Sequence, residues 1–170
     1  MNDQKILSED TIVLPEPPQP RGNYNAVVQH DSLLFVSGQL PLRNGELQYR
    51  GRLGAEVDVA AGYQAARLCA LNTLAQIQGA VTSLDTIVGL ARIEGYLQCA
   101  PSFQDHVKVL DGASDLFYEV LGKQGSHTRA VFGVNTLPLN SPIELVLMAR
   151  ISPHRVRFWH RLLGCGGSTA

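Results

Sequence analysis

Two short apolar runs, Ala130-Val131-Phe132-Gly133-Val134 and Ile143-Glu144-Leu145-Val146-Leu147, alternate in the manner of half-buried strands and are parted by Pro138, Asn140 and Pro142. A charged residue stands at the mouth of each, Arg129 before the first and Glu144 at the start of the second. Two such charges either meet across a strand pair or both point at something bound in a cleft. The surrounding pattern has to supply the other strands and the cover that these two require.

Upstream, Val27-Val28 and Leu33-Leu34-Phe35-Val36-Ser37-Gly38 flank Asp31-Ser32, which predicts a β-hairpin ending in a glycine. Pro41, Asn44 and Gly45 break the chain, and residues 51–54 read as a loop. Over about 57–78, Val57, Ala61, Ala65, Leu68, Leu71, Leu74 and Ala75 recur at helical spacing with alanine-rich sides, and Gly79 reads as the C-cap. Residues 85–98 alternate as a long strand. Pro101-Ser102 followed by Asp105 resembles an N-cap with an acidic first turn, so a second helix runs to about Leu121, ended by Gly122 and Gly125. The order β-β-α-β-α-β-β predicts an α+β fold, a mixed sheet with two helices on one face.

That layout leaves one sheet face bare. Leu33/Phe35 and Leu34/Val36 are apolar on both sides of their strand, and so are Ile143/Leu145/Leu147 and Val146/Met148, whereas two helices cover only one side. The pattern predicts a homo-oligomer whose sheets pack together with clefts at the subunit boundary, unless the N-terminal lead-in covers that face in a monomer. Three segments follow: an extended lead-in over 1–21, rich in proline from Leu14 onward, a domain over 22–151, and a basic, aromatic tail over 152–170. The tail is either a short basic amphipathic helix for a membrane surface, a nucleic acid or a partner, or a docked terminal extension.

Composition narrows the function classes. At 170 residues, 45% apolar and 17% charged, the chain suits one soluble globular domain. Its net charge of -1 and the lack of a basic face before the tail count against nucleic-acid binding. Cys69, Cys99 and Cys165 share no C-x-x-C spacing, which disfavours a disulfide framework or zinc site and fits a reducing cytoplasm. Met1 to Lys5 lacks a secretory pattern, and no apolar run approaches membrane-spanning length, so no membrane partner is expected.

Among residues suited to chemistry, Arg129 presents a planar fork for a small carboxylate or pairs with an acidic residue. Glu144 either holds Arg129 or orients and activates a water. Ser37 and Gly38 offer a hydroxyl and a bare backbone N–H to a ligand, or Gly38 only turns the chain. Tyr24, in Gly22-Asn23-Tyr24-Asn25, lids a pocket or packs on the surface. His30, His106, His127, His154 and His160 show no ligand spacing and read as surface or core histidines.

Gly22-Asn23-Tyr24, Leu34-Phe35-Val36-Ser37-Gly38-Gln39-Leu40-Pro41, and Arg129 through Leu137-Pro138 to Glu144 together resemble the Rid (reactive intermediate deaminase) family, also called YjgF-like or endoribonuclease L-PSP. The likeness covers roughly residues 20–151, and Asp111-Gly112-Ala113-Ser114-Asp115-Leu116-Phe117 looks like a less studied subgroup. The resemblance implies a chorismate-mutase-like fold, a homotrimer, and ligand pockets between subunits. It further implies hydrolysis of 2-imino or enamino acids to 2-keto acids and ammonia, with no metal or organic cofactor. By position, Arg129 clamps the substrate carboxylate, Glu144 positions the attacking water, Tyr24 lines the pocket, and Ser37 with Gly38 lies at its floor. Gly112 stands where the deaminating branch has a pocket asparagine, and Val131 where it has a cysteine. These departures point to a larger or different substrate, or to a non-catalytic carboxylate-binding or regulatory protein. The ribonuclease in the family name makes RNA cleavage a third reading.

Overall fold

A computed structural model describes residues 12–81 and 83–152. The basic aromatic tail, from residue 153 on, lies outside the described residues. Seven strands and two long helices follow in order: β1 (Val27–His30), β2 (Leu33–Gln39), β3 (Leu42–Arg43), β4 (Glu46–Leu47), α1 (Val59–Ala80), β5 (Ile87–Gln98), α2 (His106–Leu121), β6 (Thr128–Val134) and β7 (Ile143–Ile151). Five strands form one sheet in the order β1-β2-β7-β5-β6, with β5 and β6 parallel and the other neighbours antiparallel. The expected α+β layout is therefore present. The break at Asn44 and Gly45 is itself a small hairpin, β3 with β4, both turn residues having positive φ.

The strand periodicity sorts the side chains cleanly. Ile143, Leu145, Leu147 and Ala149 of β7, Ile93 and Leu97 of β5, and Leu34 and Val36 of β2 are buried under the helices. On the opposite face, Val28, Leu33, Phe35 and Phe132 are exposed, each 37–45% accessible, beside half-buried Val146 and Met148. One chain thus leaves an apolar sheet face open to solvent, a patch of the kind that marks an interaction surface. Of the lead-in, the stretch from Ile12 to Pro18 lies on the helix side. Gln76 of α1 donates to the Pro18 carbonyl at 2.5 Å, and Ile12 and Leu14 pack against the core.

The helix ends differ in detail from the sequence expectation. Asp58 caps α1, its Oδ1 accepting from Ala61 N at 2.8 Å. Gly79 is not the C-cap: the helix continues through it to Ala80 with Val81 as the cap residue, while Pro17 approaches over the bare glycine. Asp105 does precede α2, but its carboxylate pairs with Lys108 at 2.8 Å and caps no backbone N–H, and no acidic residue occupies the first turn. The helices meet through small residues. A Cβ on Gly112 would lie 2.1 Å from the Tyr63 carbonyl oxygen, so this glycine seats α2 on α1.

Candidate functional site

Arg129 and Glu144 do not meet. Strand β5 runs between β6 and β7, so the two are never cross-strand neighbours. Arg129 is in register with Ile93, on the helix face, whereas Glu144 is in register with Tyr96, on the open face. With two inter-strand gaps and three residues of offset, they stand on the order of 14 Å apart in one chain. The sequence-predicted residues accordingly fall into two groups.

One group gathers around Glu144. Across the open face runs the row Phe132, Tyr96, Glu144, continued by Gly38 on β2, where the β2–β7 register shifts between Val36 and Gln39. Such a bulge re-aims the chain locally. Its function here is spatial: a Cβ on Gly38 would lie 1.9 Å from Glu144 Oε1. Gly38 therefore makes room for the carboxylate. Among the described residues the Glu144 side chain has neither a hydrogen-bond nor an ion-pair partner, and burial raises its pKa above the ordinary carboxylate value. Beside it opens a cleft of about 260 Å³, walled by residues 18–21 of the lead-in, Tyr24, Gly38 and Pro138. Tyr24 is 52% exposed at this cleft. The Ser37 hydroxyl donates to the Asn25 carbonyl at 2.8 Å, which leaves its oxygen only as an acceptor toward a ligand. Tyr96 stacks on Phe132 at 5.4 Å and donates to Glu94, whose pKa is lowered chiefly by its bond to Arg92.

The second group gathers around Arg129 at the β6 edge. Its Nη1 lies 2.7 Å from Asp111 Oδ1 and 2.9 Å from Ser114 Oγ, both on α2. Ser114 Oγ in turn lies 3.0 Å from His127 Nε2, and His127 Nδ1 lies 2.6 Å from the Gly125 carbonyl. Sequence reasoning assigned Asp111, Ser114 and His127 no role at the site, although 111–117 stood out as a motif and His127 was read as a surface or core histidine. The signals were present: His127, just before β6, stands two residues from Arg129 in its extended run, and Asp111 and Ser114 are three apart on one helix face. Gly112, expected in the pocket, is buried where α2 meets Tyr63 of α1. Val131 packs half-buried against the core.

Cys99 offers no activated thiol. Burial pushes its pKa up to about 11, it donates to the Leu97 carbonyl, and His106 Nε2 is 3.6 Å away. Among the described residues no three His, Cys, Asp or Glu side chains gather as a metal site. None of the described helices is long and apolar enough to cross a membrane.

Residues 5–151 match the family model described as YjgF/chorismate mutase-like, putative endoribonuclease. The chain belongs to that family. Protein TCP17 of Trypanosoma cruzi is 35% identical over 142 residues, covering 83% of this chain and 89% of that one. A crystal structure described as a putative endoribonuclease from Shewanella oneidensis MR-1 is 41% identical, with a TM-score of 0.80 over 82% of this chain and 93% of that one. The Agrobacterium tumefaciens protein Atu1372, described as of unknown function, is 37% identical with a TM-score of 0.79, over 83% and 87% of the two chains. The YjgF-like resemblance and the chorismate-mutase-like fold thus hold for this chain.

Proposed function

We propose that this protein is a cytoplasmic homotrimer that hydrolyses reactive 2-imino or enamino acids to 2-keto acids and ammonia at sites shared between neighbouring subunits. The observation that carries this reading is the separation of Arg129 from Glu144 onto opposite sheet faces, combined with the bare apolar face around Phe35 and Phe132. Packing those faces together would bury the apolar patch and lets Arg129 of one copy approach Glu144 of the next. Neither group has the other as a partner within its own chain.

In the proposed reaction the substrate carboxylate sits on Arg129 and the iminium carbon faces a water held by Glu144. Desolvation has made the Glu144 carboxylate a stronger base than an exposed one, so it takes a proton from the water as oxygen bonds to carbon. The resulting carbinolamine regains that proton on nitrogen, Glu144 takes the hydroxyl proton as the C=O bond forms and the C–N bond breaks, and the 2-keto acid and ammonia leave, the ammonia carrying off that last proton as ammonium. An imine is already electrophilic, so positioning and one base suffice.

Timing the decay of 2-iminopropanoate and 2-iminobutanoate, generated in place by an amino-acid oxidase, tests the reading. Wild type should accelerate decay and Arg129→Ala should not. Because the Arg129–Asp111 pair is partly exposed, the variant should lose only about 0–1 kcal/mol of stability. No acceleration by wild type would remove the deaminase reading. Retained binding of 2-keto acids would then favour a carboxylate-binding protein. RNA cleavage would instead require turnover that falls steeply with salt. Light scattering should report three chains, and a monomer would sink the shared site.

A further inference from the structure

Arg129 makes both of its contacts through a single nitrogen. Nη1 donates to Ser114 Oγ at 2.9 Å and is ion-paired with Asp111 Oδ1 at 2.7 Å. Behind Ser114 stands a satisfied chain of donors. A carbonyl oxygen only accepts, so the 2.6 Å contact with Gly125 places the ring hydrogen of His127 on Nδ1. In the neutral ring Nε2 is then an acceptor, and the Ser114 hydroxyl donates to it at 3.0 Å. Donation therefore runs from Arg129 to Ser114, from Ser114 to His127, and from His127 to the backbone.

The members of this chain have little freedom. Ser114 is 7% exposed, and the His127 ring lies 6.1 Å from the Phe117 ring, edge to face, and 5.8 Å from that of Tyr118. Gly125, the anchor, sits so close to the end of α2 that a Cβ there would lie 2.4 Å from the Phe117 carbonyl oxygen. A rigid anchor thus reaches the guanidinium through two side chains.

We propose that Ser114 and His127 are positioning residues for Arg129, tying down Nη1 so that the Nε and Nη2 edge is kept for a planar carboxylate. Among the described residues neither of those nitrogens has a hydrogen-bond or ion-pair partner. Between them they can offer two parallel N–H groups, the fork that matches both oxygens of one carboxylate. The ligand class is a small 2-oxo or 2-imino acid, and the assignment rests on the reading of Arg129 as its clamp. Without the relay, the 40% exposed Asp111 side chain alone would orient the guanidinium. The competing explanation is a staple that merely joins α2 to β6, and it makes different predictions.

The test is calorimetric binding of 2-oxobutanoate to the full chain. Ser114→Ala and His127→Phe should each weaken binding about tenfold. His127→Gln, whose amide oxygen can accept from Ser114, should recover most of that loss. In an Arg129→Lys background, which has no Nη1 to hold, Ser114→Ala should have no further effect. Unchanged binding in Ser114→Ala and His127→Phe would overturn the proposal. So would equal losses in His127→Gln and His127→Phe accompanied by equal falls in thermal midpoint, the result expected of a staple. If wild type binds no 2-oxobutanoate while remaining folded, the clamp reading itself fails and takes this assignment with it.

Discussion

The two halves of the site are built on opposite plans. Around Arg129, the described polar side chains are paired: a carboxylate and a hydroxyl share one nitrogen, and a histidine ties the hydroxyl to the backbone. Around Glu144, a half-buried carboxylate lies against a bare glycine with no described partner, and burial alone holds its pKa up. A group that must recognise gains from being fixed before the ligand arrives. A group that must take a proton gains from being poorly solvated, because its charged form is then a stronger base. Under the proposed reaction, the contrast would give recognition to the β6 edge and reactivity to the open face.

Each half also rests on a glycine, and the two glycines should fail differently. At Gly112 the obstacle to a Cβ is the Tyr63 carbonyl, 2.1 Å away, and a backbone atom inside a helix pair cannot step aside. Gly112→Ala should therefore push α2 off α1 and lower stability by about 3 kcal/mol, as overpacking of a tight core does. Chemical denaturation would measure this. Carboxylate binding should fall with it, because Asp111 and Ser114 travel on the same helix. The same geometry predicts that an asparagine at this position damages the fold and restores no activity.

At Gly38 the obstacle is the end of a flexible side chain, since Glu144 Oε1, Cδ and Cγ lie 1.9, 2.7 and 2.9 Å from the added carbon. Gly38→Ala should keep the fold and turn the carboxylate away, lowering kcat about a hundredfold, the scale of a 1 Å misplacement of a reacting group. Binding of 2-oxobutanoate should change little, because the Arg129 edge is untouched. Equal losses of binding and turnover would break the division between the halves.

Much of the fold was legible in the chain. Period-two alternation marked β5, β6 and β7, the turn at Asp31-Ser32 marked the β1–β2 hairpin, alanine-rich helical spacing marked α1, and surplus apolar residues on both strand faces marked the bare surface now occupied by Phe35 and Phe132. Strand order was not legible. Ala130-Val131-Phe132 and Leu145-Val146-Leu147 read as consecutive strands that should pair, yet β5 inserts between them because the connection through α2 brings β6 back parallel to β5. That insertion keeps Arg129 and Glu144 apart, and their registers on β5, at Ile93 and Tyr96, an odd number of residues apart, put them on different faces. Gly38 and Gly112 read locally as a strand end and a helix interior. What they make room for, Glu144 and the Tyr63 carbonyl, is set by tertiary contacts across long separations in the chain.

The smallest expected effect bears on the unpaired carboxylate directly. Because burial raises the pKa of folded Glu144 above its unfolded value, the folded protein binds this proton more tightly than the unfolded chain does. The associated stability is complete below the unfolded pKa and is lost as pH rises through the folded one. Above that window wild type carries a poorly solvated charge, which Glu144→Gln lacks. The variant should therefore melt a little higher than wild type at neutral pH, and the two midpoints should converge as pH falls into the carboxylate range. Turnover should move the other way, absent in the variant and declining in wild type as acid protonates the base. Midpoints that already coincide at neutral pH would mean that the charge is solvated after all, and the plan inferred for this half would lose its physical basis.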